Sequence, residues 1–375
     1  MNKSKRIKYF SYYGCNDPAR KRDNSPAADS KIDYIISVLN RCGYAVDHIS
    51  NAPSACNHYI PGYVVKSENN TLRYFASFGK GNLFFNKLNN MFMRVQFLFW
   101  CLLNIKKNEQ VIVYHSLGYD ATFIWLFRLK QVRIIGEIEE IYQDVHKQRK
   151  SLSINEYKFI DVCTKYIFPT SLMDEKLNKH KEKLSVVVHG IYNVESDVES
   201  KFNDGKVHVV YGGTLDPKKG GAYATVAAAN FLPNNYHVHI CGFGDSKQIL
   251  KKIADVKQVS KATVTFDGEF KGDAYKHFIQ KCHIGLSTQD PTAAFNATSF
   301  PSKILVYLSN GLRVVSIRIP VVEQSAIADC LCFYDEQSPK MIANAIMESV
   351  KDDIDGKDIL KKLDNSFVKD LKGIL

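Results

Sequence analysis

The chain has 375 residues, 45% hydrophobic and 24% charged, which is the composition of a folded globular protein long enough for two domains. That excludes disordered, collagen-like and coiled-coil classes. The formal net charge is +11 and uneven, with 28 Lys and Arg against 20 Asp and Glu in residues 1–200 and 22 against 19 in 201–375, so the first half favours an anionic partner such as phosphate, nucleic acid or an acidic lipid surface.

The first residues, MNKSKRIKYFSYYG, are basic but lack an apolar h-region, so no signal peptide is expected. Residues 6–12 alternate into a strand, a polar loop follows, and KIDYIISVLNRCG carries the spacing of an amphipathic helix stopped at Gly43. Tyr44–Ile49 reads as a second strand. Residues 83–105 read as a long helix whose apolar run is broken by Arg94 and Gln96; it falls short of the ~20 apolar residues needed to span a bilayer. With its flanking Lys80, Lys87, Lys106 and Lys107, it fits an anionic bilayer surface or a core position. QVIVYHS (110–116) reads as a buried parallel strand ending at His115. Further strands are expected at Val132–Ile135, which leads into Glu137, Glu139 and Glu140, and at KYIFPTS and LSVVVHG.

Residues 193–206, polar and without periodicity, read as a linker. After it, strand and helix patterns alternate again from VHVVYGG to LRVVSI, and the last 30 residues read as terminal helices. Alternation in both halves predicts two doubly wound α/β domains, 1–198 and 206–345, with 346–375 packing back on the first. Open parallel sheets bind ligands at the carboxyl ends of their strands, so a cleft with two such edges facing each other is the expected site.

The nine cysteines form no CxxC pair, which fits neither a zinc site nor a disulfide framework and suits a reducing cytoplasm. His237 and His239 alternate on one strand and share a face. No third ligand sits at a suitable spacing in sequence, and hydrogen-bonded sheet histidines are the commoner case, so no metal is expected.

Three segments carry candidate chemistry. In VVYGGTLDPKKGG (209–221) the strand is expected to end at Tyr211, with Gly212 and Gly213 leaving room for a ligand and Lys218 and Lys219 preceding a helix start, a natural anion site. CGFGD (241–245) is a second glycine turn, with Gly242 and Gly244 allowing close approach and Asp245 capping the next helix. In SFPSKILVYLSNGLRVV (299–315), Lys303 lies in a helix's first turn, where the macrodipole disfavours a cation unless an anion is also present. Helical spacing puts Val306 and Asn310 on the same face as Lys303.

GGTLDPKKG and FPSKILVYLSNGLRVV resemble the G-x-L-x-x-x-K-G and F-P-S-K-x-x-E-Y-L-A-x-G-x-P-V-I segments of retaining GT-B glycosyltransferases of family 4. The match in order and spacing covers residues 207–320, and the whole chain is similar to bacterial polysaccharide, O-antigen and capsule glycosyltransferases. The resemblance implies the GT-B fold and transfer of a sugar, with retention, from a nucleotide-diphosphate sugar, UDP-linked, to a lipid-linked glycan acceptor on the inner membrane face. It implies no cofactor, no metal and no nucleic acid. On this basis Lys219 and Lys303 would hold the donor diphosphate, faced by Gly212 and Gly213, with Gly242 nearby and Gly14 approaching from the first domain. His115 would border the transferred sugar, and the backbone of Asn296, Ala297 and Thr298 would touch its hydroxyls. From their place after a strand, rather than from the resemblance, Glu139 and Glu140 would position the acceptor. The chain departs from the family in carrying Thr214 for an arginine, and Ser299 and Val306 for the E-x7-E glutamates. A silent GT-B partner subunit and a nucleotide-sugar 2-epimerase on the same fold are the alternatives.

Overall fold

Eight strands make the first sheet: β1 (Lys5–Ser11), β2 (Tyr44–Ser50), β3 (Tyr63–Lys66), β4 (Thr71–Tyr74), β5 (Gln110–Tyr114), β6 (Arg133–Glu137), β7 (Lys165–Phe168) and β8 (Leu184–Val187). The computed structural model describes residues 5–15, 17–23, 25–145, 150–217, 220–351 and 354–375, without the side chains of 144, 145, 150–153, 294 and 295. The order is β3-β4-β2-β1-β5-β6-β7-β8, parallel except for β3 against β4. The central strands have no solvated face: Val111, Ile112 and Val113 are all fully buried, which is why β5 reads as a continuous apolar run rather than an alternating one. The β3–β4 hairpin was not legible, because β3 is mostly exposed and β4 mostly half-buried.

The second sheet comprises β9 (Val207–Thr214), β10 (Tyr236–Phe243), β11 (Thr263–Gly268), β12 (Ile284–Ser287), β13 (Arg313–Ile317) and β14 (Leu331–Tyr334). Its order is β11-β10-β9-β12-β13-β14, all parallel. The reversal of direction in strand order at β9 and β12 is a topological switch point, where such sheets place ligands at the carboxyl edge. β9 does not end at Tyr211 as expected. It stays paired with β10 through Gly212, Gly213 and Thr214, because glycines opposite each other let the two backbones continue in contact.

The chain divides into Met1–Ile191 with Ser366–Leu375, and Tyr192–Asn365. The stretch expected as a linker therefore belongs to the second unit, and its polar residues have partners there. Glu195 N donates to Ser309 O and Phe202 N to Lys281 O. Gln280 accepts from Val198 N and donates to Ser196 O and Asn310 Oδ1. Of the terminal helices, Pro339–Ser349 packs on β13 and β14 of the second unit, and Gly356–Ile374 contributes only its last residues to the first.

Candidate active site

In the second unit the site is built around the end of β9. The helix Lys303–Ser309 is anchored by Tyr307, which is fully buried and whose hydroxyl accepts from Gly212 N at 2.9 Å. One turn earlier on that helix, Lys303 places its Nζ 4.2 Å from the centroid of the Tyr211 ring. A Cβ added to Gly213 would sit 3.2 Å from the same Nζ. The ammonium is thus held on an aromatic face at the strand's carboxyl end, a cation–π contact, with the Gly213 backbone alongside.

The glycines divide their roles differently from expectation. The side-chain space of Gly212 is taken by Tyr275, since an added Cβ would lie 2.2 Å from its hydroxyl. Gly212 therefore faces protein, and Gly213 is the one beside the cation. Gly242, at φ +146°, is needed by the sheet itself: a Cβ there would lie 1.7 Å from Gly213 O. Thr214 is half-buried, and its carbonyl accepts from Tyr211 Oη. Lys218 and Lys219 lie outside the described residues. The helix that follows them, Gly221–Ala228, is pinned to the end of β12 by Thr288 Oγ1, which donates to Gly221 O at 2.8 Å and meets Thr225 Oγ1 at 2.9 Å.

The segment 294–299 is shaped by its own polar residues. Asn296 is buried, donates to Asp290 O and accepts from Gln289 Nε2, each at 2.7 Å. Thr298 is buried too, while Ala297 is exposed and Ser299 half-buried. Val306 is exposed. Asn310 does not share its face: it lies just past the last helical turn, buried and bonded to Gln280 and to Val306 O.

In the first unit, the end of β6 carries an acidic pair handled in two ways. Glu137 is fully buried and takes a 2.5 Å hydrogen bond from Tyr9 Oη. Burial, and then the neighbouring Glu139 charge, push its carboxyl up to about 8 despite opposition from Lys31 and the Tyr9 hydroxyl. Glu139 is instead paired with Lys31 at 3.3 Å. Lys31, also buried, is oriented by donating to Val188 O and Gly190 O. Glu140 is half-buried next in sequence. Sequence reasoning missed Tyr9 and Lys31, which come from β1 and the helix Pro26–Arg41.

His115 and Gly14 depart from their expected roles. The His115 ring is only 2% exposed. It stacks on Phe159 with an 11° interplanar angle, 3.4 Å from Asp120 Oδ1 and 3.9 Å from Glu156 Oε1. Those two carboxylates are buried as well, so this ring faces an internal acidic cluster rather than an open sugar site. Gly14 N already donates to Asp29 Oδ1 at 3.1 Å, and its carbonyl accepts from Tyr74 at 2.6 Å. Its amide is committed to the protein.

No protein-family model matches the chain, and no curated protein matches it in sequence. Solved structures do match. OtsA, a trehalose-6-phosphate synthase, in its apo form aligns over 98% of this chain and 96% of its own with a TM-score of 0.62 at 10% identity. The catalytic domain of starch synthase IV from Arabidopsis thaliana, bound to ADP and acarbose, aligns over 99% and 98% with a TM-score of 0.62 at 10% identity. HepE from Anabaena, in complex with UDP and glucose, aligns over 97% and 95% with a TM-score of 0.58 at 12% identity. The two parallel-sheet Rossmann-like units are those of the GT-B fold.

Proposed function

We propose that this protein is a GT-B glycosyltransferase that moves a hexosyl group from a nucleoside diphosphate sugar, UDP-linked, to a glycan acceptor in polysaccharide synthesis, with retention and without a metal in the transfer step. The observation that carries the reading is Lys303, held on Tyr211 beside the Gly213 backbone at the sheet's switch point. That is where such sheets receive ligands, and a fixed cation there complements a departing diphosphate. The structural neighbours solved with ADP and with UDP support a nucleotide donor.

In this reading the bond between the anomeric carbon and the diphosphate oxygen breaks. The acceptor oxygen bonds the same carbon from the same face, and its proton passes to the departing diphosphate. Lys303 neutralises the charge that develops, joined by Lys219 and by the first amides of Gly221–Ala228. Gly213 and Thr214 line the diphosphate, and the 296–298 backbone meets the sugar. Val306 and Ser299 stand where the family-4 segment they resemble has carboxylates, so ribose and sugar are gripped less tightly than phosphate. Glu139 and Glu140 orient the acceptor. A thermal-shift screen of nucleosides and nucleoside diphosphates tests the reading. A nucleoside diphosphate at 100 times its Kd adds about 2.7 kcal/mol, a shift of several degrees, and the matching nucleoside adds far less. No stabilisation by any nucleoside diphosphate overturns it.

The acceptor is proposed to be lipid-linked, with the protein bound peripherally at the cytoplasmic membrane face. No helix among the described residues is long and apolar enough to cross a membrane. The helix Leu83–Asn104, however, has two apolar faces. Asn89, Met93, Phe97 and Cys101 enter the core. Phe84, Leu88, Met91, Val95 and Phe99 lie exposed on the opposite side, bordered by Lys87 and Arg94. Exposed apolar residues at helical spacing beside cations match a headgroup interface. Flotation with vesicles containing anionic lipid should recover the wild type and lose most of a Phe84→Asp, Val95→Asp, Phe99→Asp variant. Equal recovery removes the membrane assignment.

A further inference from the structure

The second unit contains a histidine cluster remote from Lys303. His208, His237 and His239 offer ligand atoms that all lie within 4.8 Å of one another. His237 and His239 come from β10 and His208 from the adjacent strand β9, level with His237 in the register. The missing third ligand was thus hidden from sequence spacing, because strand pairing supplies it. His208 and His239 are buried, and Phe202 stacks on His208 at 4.2 Å and on His239 at 5.7 Å. From His208 to Gly213 along β9 is roughly 17 Å at strand rise, so this is not the proposed donor site.

The hydrogen bonds decide what the cluster can hold. His208 Nε2 lies 2.8 Å from Asp204 Oδ1, and His239 Nδ1 lies 3.2 Å from Asp267 Oδ2. A carboxylate only accepts, so each of those ring nitrogens carries the proton. The other two nitrogens, His208 Nδ1 and His239 Nε2, face each other at 2.8 Å. In neutral rings both present lone pairs, and two opposed lone pairs require a cation between them. An imidazole whose outer N–H is fixed by a carboxylate is also the arrangement that orients histidine for metal ligation and raises its basicity. The third ring, His237, is positioned by Thr265 Oγ1 at 3.0 Å from its Nε2 and stacks on His239 at 3.9 Å.

We propose that His208, His237 and His239 form a site for one divalent transition ion of the zinc class, with Asp204 and Asp267 fixing the tautomers of His208 and His239. Tetrahedral coordination with bonds of about 2.0–2.1 Å separates ligand atoms by roughly 3.3 Å, so His208 Nδ1 and His239 Nε2 part by about half an ångström as the ion enters. The ion ties β9 to β10 and, through Asp204, fastens the 193–206 segment to the sheet. It takes no part in sugar transfer.

Titration of the metal-free, full-length protein with Co(II), followed by the d–d absorption of the bound ion and then displacement by Zn(II), tests this. The wild type should bind one equivalent with tetrahedral-type bands. His239→Gln should weaken binding at least about 100-fold, and Asp204→Asn about 10–100-fold. Asp204 is largely exposed, so the second variant remains informative where the first fails to fold. His277→Ala, an exposed histidine paired with Glu199, should bind as the wild type does. Failure of the wild type to take up the ion, or equal affinity in Asp204→Asn, overturns the assignment in favour of a proton shared between His208 and His239. Neither result bears on nucleotide binding.

Discussion

Lys303→Ala lowers kcat/KM for the nucleotide sugar by about 10²–10³-fold, the range observed when one preorganised charge-stabilising group is removed from a transfer site. Loss of a hydrogen bond to a charged group, about 1.5–3 kcal/mol, reaches only the lower end of that range, and the remainder is charge stabilisation in a site closed to water. The effect should fall mainly on kcat, since the diphosphate charge grows as the glycosidic bond breaks and the ammonium is worth most at that point. Lys303→Arg should recover part of the rate, because charge is kept while the fit over Tyr211 changes. Stability provides the internal control. The Tyr211 contact is an ordinary cation–π interaction worth about 0.5–1 kcal/mol, so the alanine variant stays folded with Tm lowered by a few degrees at most. Unchanged turnover in a folded Lys303→Ala protein removes the phosphate role. A wild type that binds no nucleotide by calorimetry favours the silent-subunit alternative.

Glu137→Gln should make stability less dependent on pH. The folded protein holds the Glu137 proton up to about pH 8, whereas the unfolded chain releases it near 4.5. Between those values the native state binds more protons than the unfolded state, so stability falls as pH rises through the window. The slope is on the order of one kcal/mol per pH unit within it. Glutamine keeps an oxygen for the Tyr9 hydroxyl and has no charge to bury. The variant and the wild type should therefore match near pH 4.5 and diverge steadily toward pH 8, with the variant more stable. Denaturant midpoints at pH 5, 6.5 and 8 measure this directly. Parallel pH profiles for the two proteins would mean that Glu137 is ionised in the fold.

Most of the second sheet could be read from residues, because each strand is a short apolar run closed by glycine or a polar turn, as in VHVVYGG and YHVHICG. β14 and the β3–β4 hairpin escaped, the hairpin because β3 and β4 are mostly exposed or half-buried and so have no buried face to pattern the sequence. At the candidate site, Lys303 was visible as a cation at a helix start. Its partner Tyr211 was not, since only folding brings a strand end under a helix ninety-odd residues later. The same limit hid Lys31 from Glu139 and His208 from His237. Gly14 and His115 meet another limit. Position after a strand identifies a ligand-facing residue only if its polar groups are free, and here Asp29, Tyr74 and the Asp120–Glu156 pair lie against them.

The close seating of Gly242 on Gly213 O, and of Gly212 on the Tyr275 hydroxyl, limits how this protein can be altered. Two backbones in contact leave no room for even a methyl group, so the strand ends form a fixed floor in any library of variants. On the proposed reading, selectivity for a different base or sugar would be sought at side chains that already have space, namely Thr214, Ser299 and the exposed Val306. Of these, Val306→Glu is the change that places a carboxylate where the family-4 segment it resembles has one, without disturbing that floor.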